Sequence, residues 1–391
     1  MSLRFRYVIS SFLFRLLCGG IVISYSWVFA SSAPSGSYLY LAVSVLFSSA
    51  PALLVPSIIK FLEQRLKATQ AIISGQVAIA LITSSSMLWF DNVALNLLNY
   101  FLIWIAFYVV DIGFDMWLAE VKHHFEHQEI SNLIGFSAAL NQGAMLIGPI
   151  LAALLTEHAG RNFYFLTAVA TLIIASALNA DRNKKKRHDS NTLAPSREKT
   201  ATLLKKYPSL LLIPLMLNWP IAASINYLLP MSISQNEYWD FVNLGIADAV
   251  FGAGMVIFGA VYLRFRLSGS GRRCASTFLI MTGISSATWL TLTHNFSALC
   301  ISMLIYGTAY AAVRVYTKDF LIQSYTSKEV GEITSQCNAL GVFITAPVIL
   351  FQYSFPTAAW LAPILALLTS LFCILKIRHH SQDTSIVQQS E

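Results

Sequence analysis

Charged residues are scarce in this chain. They make up 12% of its 391 residues, while 56% of the residues are hydrophobic. Soluble domains carry about 25% charged residues, so the composition excludes an ordinary soluble domain. The formal net charge is +7, but the positive residues form no continuous stripe with interleaved aromatics, which argues against nucleic-acid binding.

Several patterns that support chemistry are missing. The five cysteines form no CxxC pair and lie far apart, so no disulfide framework and no zinc site are expected: Cys18, Cys274, Cys300, Cys337 and Cys373. No GxxxxGK[ST] loop is present, which argues against a self-contained ATP-driven pump. Three histidines have a spacing that could hold a metal but lack a fixed partner pattern, and they are interpreted as a solvated loop: His123, His124 and His127. We therefore expect no metal and no cofactor.

Lysine and arginine are also nearly absent from one side of a series of long apolar runs. About twelve runs have roughly the length that crosses a bilayer: 7–30, 38–60, 68–90, 93–117, 132–155, 163–180, 208–230, 241–263, 274–293, 296–317, 332–352 and 357–377. Of 26 basic residues, 23 fall in the even gaps and the two tails. Arg161 lies in an odd gap, and Arg15 and Arg314 lie within runs. Loops rich in Lys and Arg stay in the cytosol, so the pattern predicts a multi-pass inner-membrane protein with both termini cytosolic.

The runs predict an all-α membrane protein, since only helices satisfy the backbone of such segments in lipid. Twelve transmembrane helices are expected in two pseudo-symmetric six-helix bundles, 1–180 and 208–380. A polar cytosolic linker, 181–207, separates them, and a disordered tail, 381–391, follows. The halves look like repeats offset by about 200 residues, because Glu129 precedes Gly148-Pro149 and Glu329 precedes Ala346-Pro347.

Four stretches resemble the major facilitator superfamily, and more narrowly its bacterial drug:proton antiporter branch, which includes macrolide and enterobactin exporters. They are 56–65, with only the basic end of the family's loop pattern; 141–153, similar to the antiporter helix-5 motif; 259–264 with 271–273; and 323–332. The helix-packing motif comprises Gly143, Gly148 and Pro149, with Ala152 and Ala153 in place of the usual glycines. The resemblance implies proton-driven efflux of a small organic molecule.

Three buried acids are candidates for proton coupling. Asp111 and Asp115 are four residues apart and share a helical face. Burial favours the neutral form of a carboxyl group, so one of them could carry a proton; alternatively, both form structural pairs with loop cations. Under the repeat offset, Arg314 lies opposite Asp115 and could pair with it across the halves. Asp248 has no basic residue in its own run, and the alternative is that it caps or hydrates the external mouth.

Further polar and aromatic residues inside the runs are candidates for a substrate cavity, because such residues in a membrane usually face a partner or a cavity. Ordinary helix packing is the alternative for each, and snorkelling for Arg15. They are Arg15, Asn141, Gln142, Asn218, Trp219, Tyr227, Tyr306, Tyr310, Arg314 and Asn338.

The sequence thus predicts a secondary transporter, not an enzyme, that works by alternating access. Proton-coupled export of a drug-like compound or a siderophore is the first hypothesis, and the two intramembrane arginines favour an anionic cargo. Import by the same fold is the alternative, and a membrane-embedded transferase or a structural role is less favoured. The expected partners are a small molecule, protons and the lipid bilayer, with no nucleic acid, and the protein is expected to be a monomer.

Overall fold

The computed structural model describes residues 3–31, 38–58, 67–88, 92–121, 127–180, 209–267, 295–356, 361–362, 364–369 and 371. The predicted linker and tail, the predicted span 274–293 and the loop 59–66 lie outside these residues. So do His123, His124 and the side chain of Gln142.

Ten long helices make up most of the described chain. They are α1 (Leu3–Ser31), α2 (Leu39–Ser49, continued by a 3-10 turn, Ala50–Leu53), α3 (Ala68–Leu88), α4 (Val93–Val121), α5 (His127–Ala159), α6 (Arg161–Asn179), α7 (Ser209–Ser234), α8 (Phe241–Leu267), α9 (Phe296–Ser324) and α10 (Ser327–Ser354). Within the described residues, seven helical segments are long and apolar enough to cross a membrane. The predicted all-α, multi-pass membrane fold is confirmed.

Helices α1 to α6 form the amino-terminal half, and α7 to α10 belong to the carboxy-terminal half. In the first half, α1 packs on α5 and α6, while α3 packs on α4 and α6. In the second half, α7 packs on α10 and α8 on α9. The halves meet where α5 contacts α8, where α2 contacts α7 and α10, and where α4 contacts α10. Any cavity between the halves is therefore bordered by helices from both.

Small residues allow some helices to approach to backbone contact. A Cβ atom on Gly148 of α5 would lie 2.1 Å from the carbonyl oxygen of Leu16 in α1, and the ring of Pro149 lies near Gly19. The motif 141–153 thus contributes to close packing, as small residues do between membrane helices. Gly143 is different, because its nearest neighbour would be 3.8 Å away.

Helix α9 runs further than hydropathy predicts. The predicted span ends at residue 317, but the helix continues to Ser324. Hydropathy assigned Lys318 to a loop because it is charged, whereas in the fold its ammonium group faces a carboxylate. An ion pair permits a lysine in a place that its own transfer energy would exclude.

Candidate functional site

A cavity of about 160 Å³ lies between the halves. Helices α1, α4 and α5 line it from one side, and α7, α8, α9 and α10 line it from the other. Nine residues predicted from the sequence line this cavity: Arg15, Asp111, Asp115, Asn218, Trp219, Asp248, Tyr310, Arg314 and Asn338. Their roles stay predictions.

Three other candidates lie elsewhere. Asn141 is buried, and its side-chain oxygen accepts a hydrogen bond of 2.9 Å from the Ser11 hydroxyl, which joins α5 to α1. Tyr227 and Tyr306 are fully buried in the main hydrophobic core and do not line the cavity. These three side chains make contacts between helices, and any role in binding cargo stays a prediction.

Five charged side chains form an ion-pair cluster that joins the halves: Arg15, Asp111, Asp115, Arg314 and Lys318. One carboxylate oxygen of Asp111 pairs with Arg15 of the same half, and the other lies 3.6 Å from the Arg314 guanidinium of the opposite half. Asp115 pairs with Lys318. Two carboxylates on α4 therefore face two cations on α9.

The predicted pairing of Arg314 with Asp115 is displaced by one helical turn. Helices α4 and α9 each carry their two charges four residues apart, so each pair shares a face. In the observed register, Arg314 meets Asp111 and Lys318 meets Asp115. Lys318 is not among the residues predicted from the sequence, because the predicted span ends at residue 317, just before it.

Arg15 is held on three sides. It pairs with Asp111, and its guanidinium carbon lies 5.4 Å from the ring centre of Phe107 and 5.9 Å from that of Phe14. Such a position over aromatic rings is favourable for a cation. Its side chain is only 9% exposed and pairs with Asp111 of the same half; a role in binding cargo stays a prediction.

The end of the bundle where α1 begins and where α4 and α9 end is called the basic end here, and the halves are also in apolar contact there. Five buried apolar side chains from both halves form a plug: Ala119, Leu321, Val330, Ile333 and Cys337. Just beyond it, the Ser327 hydroxyl donates a 2.9 Å hydrogen bond to the Met116 carbonyl. A capping box of Thr326 and Glu329 fixes the start of α10 at this point.

Aromatic side chains form a second contact between the halves, in the cavity wall. The ring of Trp219 on α7 lies edge-on to Trp104 and Tyr108 on α4, with ring centres 5.2 and 5.1 Å apart. At the far end of the bundle, Trp27 stacks on Phe241 at 5.5 Å. These contacts carry no charge, and Trp104 and Trp219 give the cavity an aromatic wall.

Other polar groups in the cavity have no partner in the described part of the chain. The side-chain oxygens of Asn218 on α7 and Thr334 on α10 are buried without a hydrogen bond. Asp248 on α8 makes no ion pair with any described residue, although it lines the same cavity. Buried polar groups normally have a partner, so these groups are available to a bound molecule or to water.

Comparison with solved structures finds proteins of the same architecture. A bacterial homologue of the iron transporter ferroportin, in an outward-facing state, has a TM-score of 0.71 at 13% identity and covers 98% of this chain and 100% of its own. The human organic anion transporter MFSD10 (TETRAN) has a TM-score of 0.67 at 15% identity, covering 95% and 100%. The Major Facilitator Superfamily transporter FucP, in an outward conformation, has 0.64 at 12%, covering 94% and 97%.

The chain has the major facilitator fold.

Sequence comparison adds nothing more specific, because no family model and no curated protein match the chain significantly. Identities of 12 to 15% show the fold alone. The narrower resemblance to the drug:proton antiporter branch stays a prediction. No group of three or more His, Cys, Asp or Glu in the described parts of this major facilitator fold is placed to hold a metal ion.

Proposed function

We propose that this chain is a secondary active transporter of the inner membrane, with both termini in the cytosol. It exports a small organic molecule by alternating access, and proton entry drives the export. One observation carries the proposal: a cavity with polar and aromatic walls lies between two halves that are joined at the basic end by replaceable contacts. Transporters of this fold bind their cargo at such a midplane site between related halves.

The contacts between the halves at the basic end are of a kind that can be broken and remade, which supports movement of the halves. In the described part of the chain, these contacts include two ion pairs, one hydrogen bond and a plug of five side chains. Each ion pair is available to be replaced by water or by a charged ligand when the halves separate. We infer that the basic end opens to the cytosol and that the far end closes as it does so.

Proton coupling is assigned to Asp248. Asp248 has no ion-pair partner among the described residues, whereas Asp111 and Asp115 are both paired. A lone carboxyl group away from water favours its neutral form. Exchange of this proton during the cycle would let a proton gradient drive the cargo.

The cargo is proposed to be an organic anion, in the range from drug-like acids to siderophores. Arg314 lines the cavity, is 23% exposed, and shares Asp111 with Arg15. The human organic anion transporter has the same fold. Import remains the alternative, since the same movement carries solute in either direction.

Distance measurements on spin labels test the proposed movement without a known cargo. In a cysteine-free background, Glu120→Cys with Arg264→Cys reports on the basic end, and Asn92→Cys with Tyr238→Cys reports on the far end; all four positions are exposed. Alternating access requires the first distance to lengthen as the second shortens when pH changes. Fixed distances at every pH would overturn the proposal.

The direction and the cargo are tested in cells. Cells with and without the protein are compared for small molecules retained inside and secreted outside. An exporter predicts at least one organic acid that is retained when the protein is absent. Import would give the reverse, with the acid depleted inside and left in the medium.

A further inference from the structure

The spacing of the two cations on α9 indicates which kind of anion the cavity can bind. Arg314 and Lys318 occupy one face of α9, one turn apart. At 1.5 Å per residue, their attachment points are about 6 Å apart along the helix. Asp111 and Asp115 present two carboxylates with the same spacing from α4. The basic-end-closed state thus shows α9 already binding a pair of carboxylates.

Separation of the halves affects the two sides unequally. Asp111 retains a counterion, because Arg15 belongs to the same half. Arg314 and Lys318 lose the carboxylates that they contact in the described structure. The two cations of α9 then face the opened cavity without their carboxylates, so a second source of two negative charges would stabilise the separated state.

We propose that the cavity binds small organic dianions, with their two carboxylates on Arg314 and Lys318, and that Asp111 and Asp115 occupy this position in the closed state as built-in competitors. The inference rests on the proposed function, because it requires the halves to separate. It narrows the cargo from organic anions in general to dicarboxylates.

The remaining lining fits the body of such a molecule. The unpartnered oxygens of Asn218 and Thr334 accept or share hydrogen bonds with its polar groups, and Asn338 lies one turn beyond Thr334 on α10. The aromatic wall of Trp104 and Trp219 covers its apolar part. A monoanion would leave one cation of α9 without a partner, so the site discriminates by charge number.

Binding to the purified full-length protein in detergent tests the inference. The probes are glutarate and adipate as dicarboxylates and butyrate as a monocarboxylate. Removing the competitors should raise affinity, since the fraction of binding-competent protein rises. We expect Asp115→Asn to bind the dicarboxylates several-fold more tightly than the unchanged protein, and Asp111→Asn with Asp115→Asn about tenfold more tightly. Butyrate should bind weakly throughout.

Removal of the two cations of α9 should abolish the preference for dicarboxylates over butyrate. Arg314→Gln with Lys318→Gln is expected to lose at least tenfold in dicarboxylate affinity. Asp240→Asn is the matched control for Asp115→Asn. Asp240 is exposed at the start of α8, and its side chain accepts a hydrogen bond from the backbone N–H of Asn243, a role that asparagine also fills. Its affinity should equal that of the unchanged protein.

Two results would overturn the inference. One is a folded Asp115→Asn protein that binds glutarate and adipate no better than the unchanged protein, with folding checked by helical circular dichroism and gel filtration. The other is full dicarboxylate affinity in Arg314→Gln with Lys318→Gln. If the spin-label distances respond to pH while dicarboxylates fail to bind, only the cargo class is wrong; if the distances stay fixed, the transport proposal fails as well.

Discussion

Two contacts involving α9 show opposite ways of joining helices. Where α9 crosses α8, a Cβ on Gly254 would lie 2.0 Å from the Leu304 carbonyl oxygen, and one on Gly307 would lie 1.9 Å from that of Phe251. Where α9 faces α4, side chains meet through charges. The first contact depends on a fixed backbone distance, and the second on charges that other charges can replace. The contact between α8 and α9 within one half is thus rigid, while the contact between α4 and α9 across the halves is reversible.

The largest effect is expected from filling the close approach. Gly307→Ala should destabilise the protein by about 3 kcal/mol or more, because the new methyl group meets backbone rather than a movable side chain. Thermal unfolding in detergent measures this, with Gly143→Ala as the control, since its nearest neighbour is 3.8 Å away. Equal melting temperatures for the two variants would contradict the rigid contact.

The next effect is expected from breaking the reversible contact. Lys318→Gln leaves Asp115 without its cation, and removal of one partner from a buried pair costs about 3 to 5 kcal/mol. The population should shift toward the state opened at the basic end, seen as a longer Glu120→Cys to Arg264→Cys distance. Lys318→Arg keeps the charge and should stay closer to the unchanged protein. A closed basic end in Lys318→Gln would show that the plug alone holds the halves.

The contrast between paired and lone acids gives a third prediction. Asp248→Asn should remove the pH dependence of the far-end distance between labels at Asn92 and Tyr238, because its amide cannot titrate. Asp240→Asn, which changes an exposed acid, should leave that dependence intact. A pH response that survives in Asp248→Asn would move the proton site to Asp111 or Asp115.

The smallest effect concerns the aromatic contact. Trp219→Phe should cost about 1 kcal/mol at most, since a ring still reaches Trp104 and Tyr108, and Trp219→Ala should cost more. Thermal unfolding again provides the measurement. If both variants melt together, the edge-on contacts contribute nothing beyond filling space.

Most of the fold was predictable because a membrane protein needs apolar helices long enough to cross the bilayer, and because its lysines and arginines concentrate in the loops on one side. Partners were harder to predict. Arg15 and Asp111 are 96 positions apart in the sequence and meet only through the packing of α1 and α4. Asn141 is a candidate cavity residue from sequence, and its hydrogen bond from Ser11 was not predictable, because Ser11 lies in another apolar run, 130 positions away. The hydropathy of lysine alone also placed Lys318 wrongly, in a loop, because the free-energy cost of burying its charge depends on the pairing with Asp115.

The thiol of Cys337 becomes a reporter when the other four cysteines are replaced by serine, since Cys18 lines the cavity and Cys300 is half-buried. It is 1% exposed within the plug, so a maleimide should reach it only in molecules whose basic end has opened. The rate of its alkylation would then measure how often the basic end opens, and a solute that speeds or slows the reaction would be identified as a ligand.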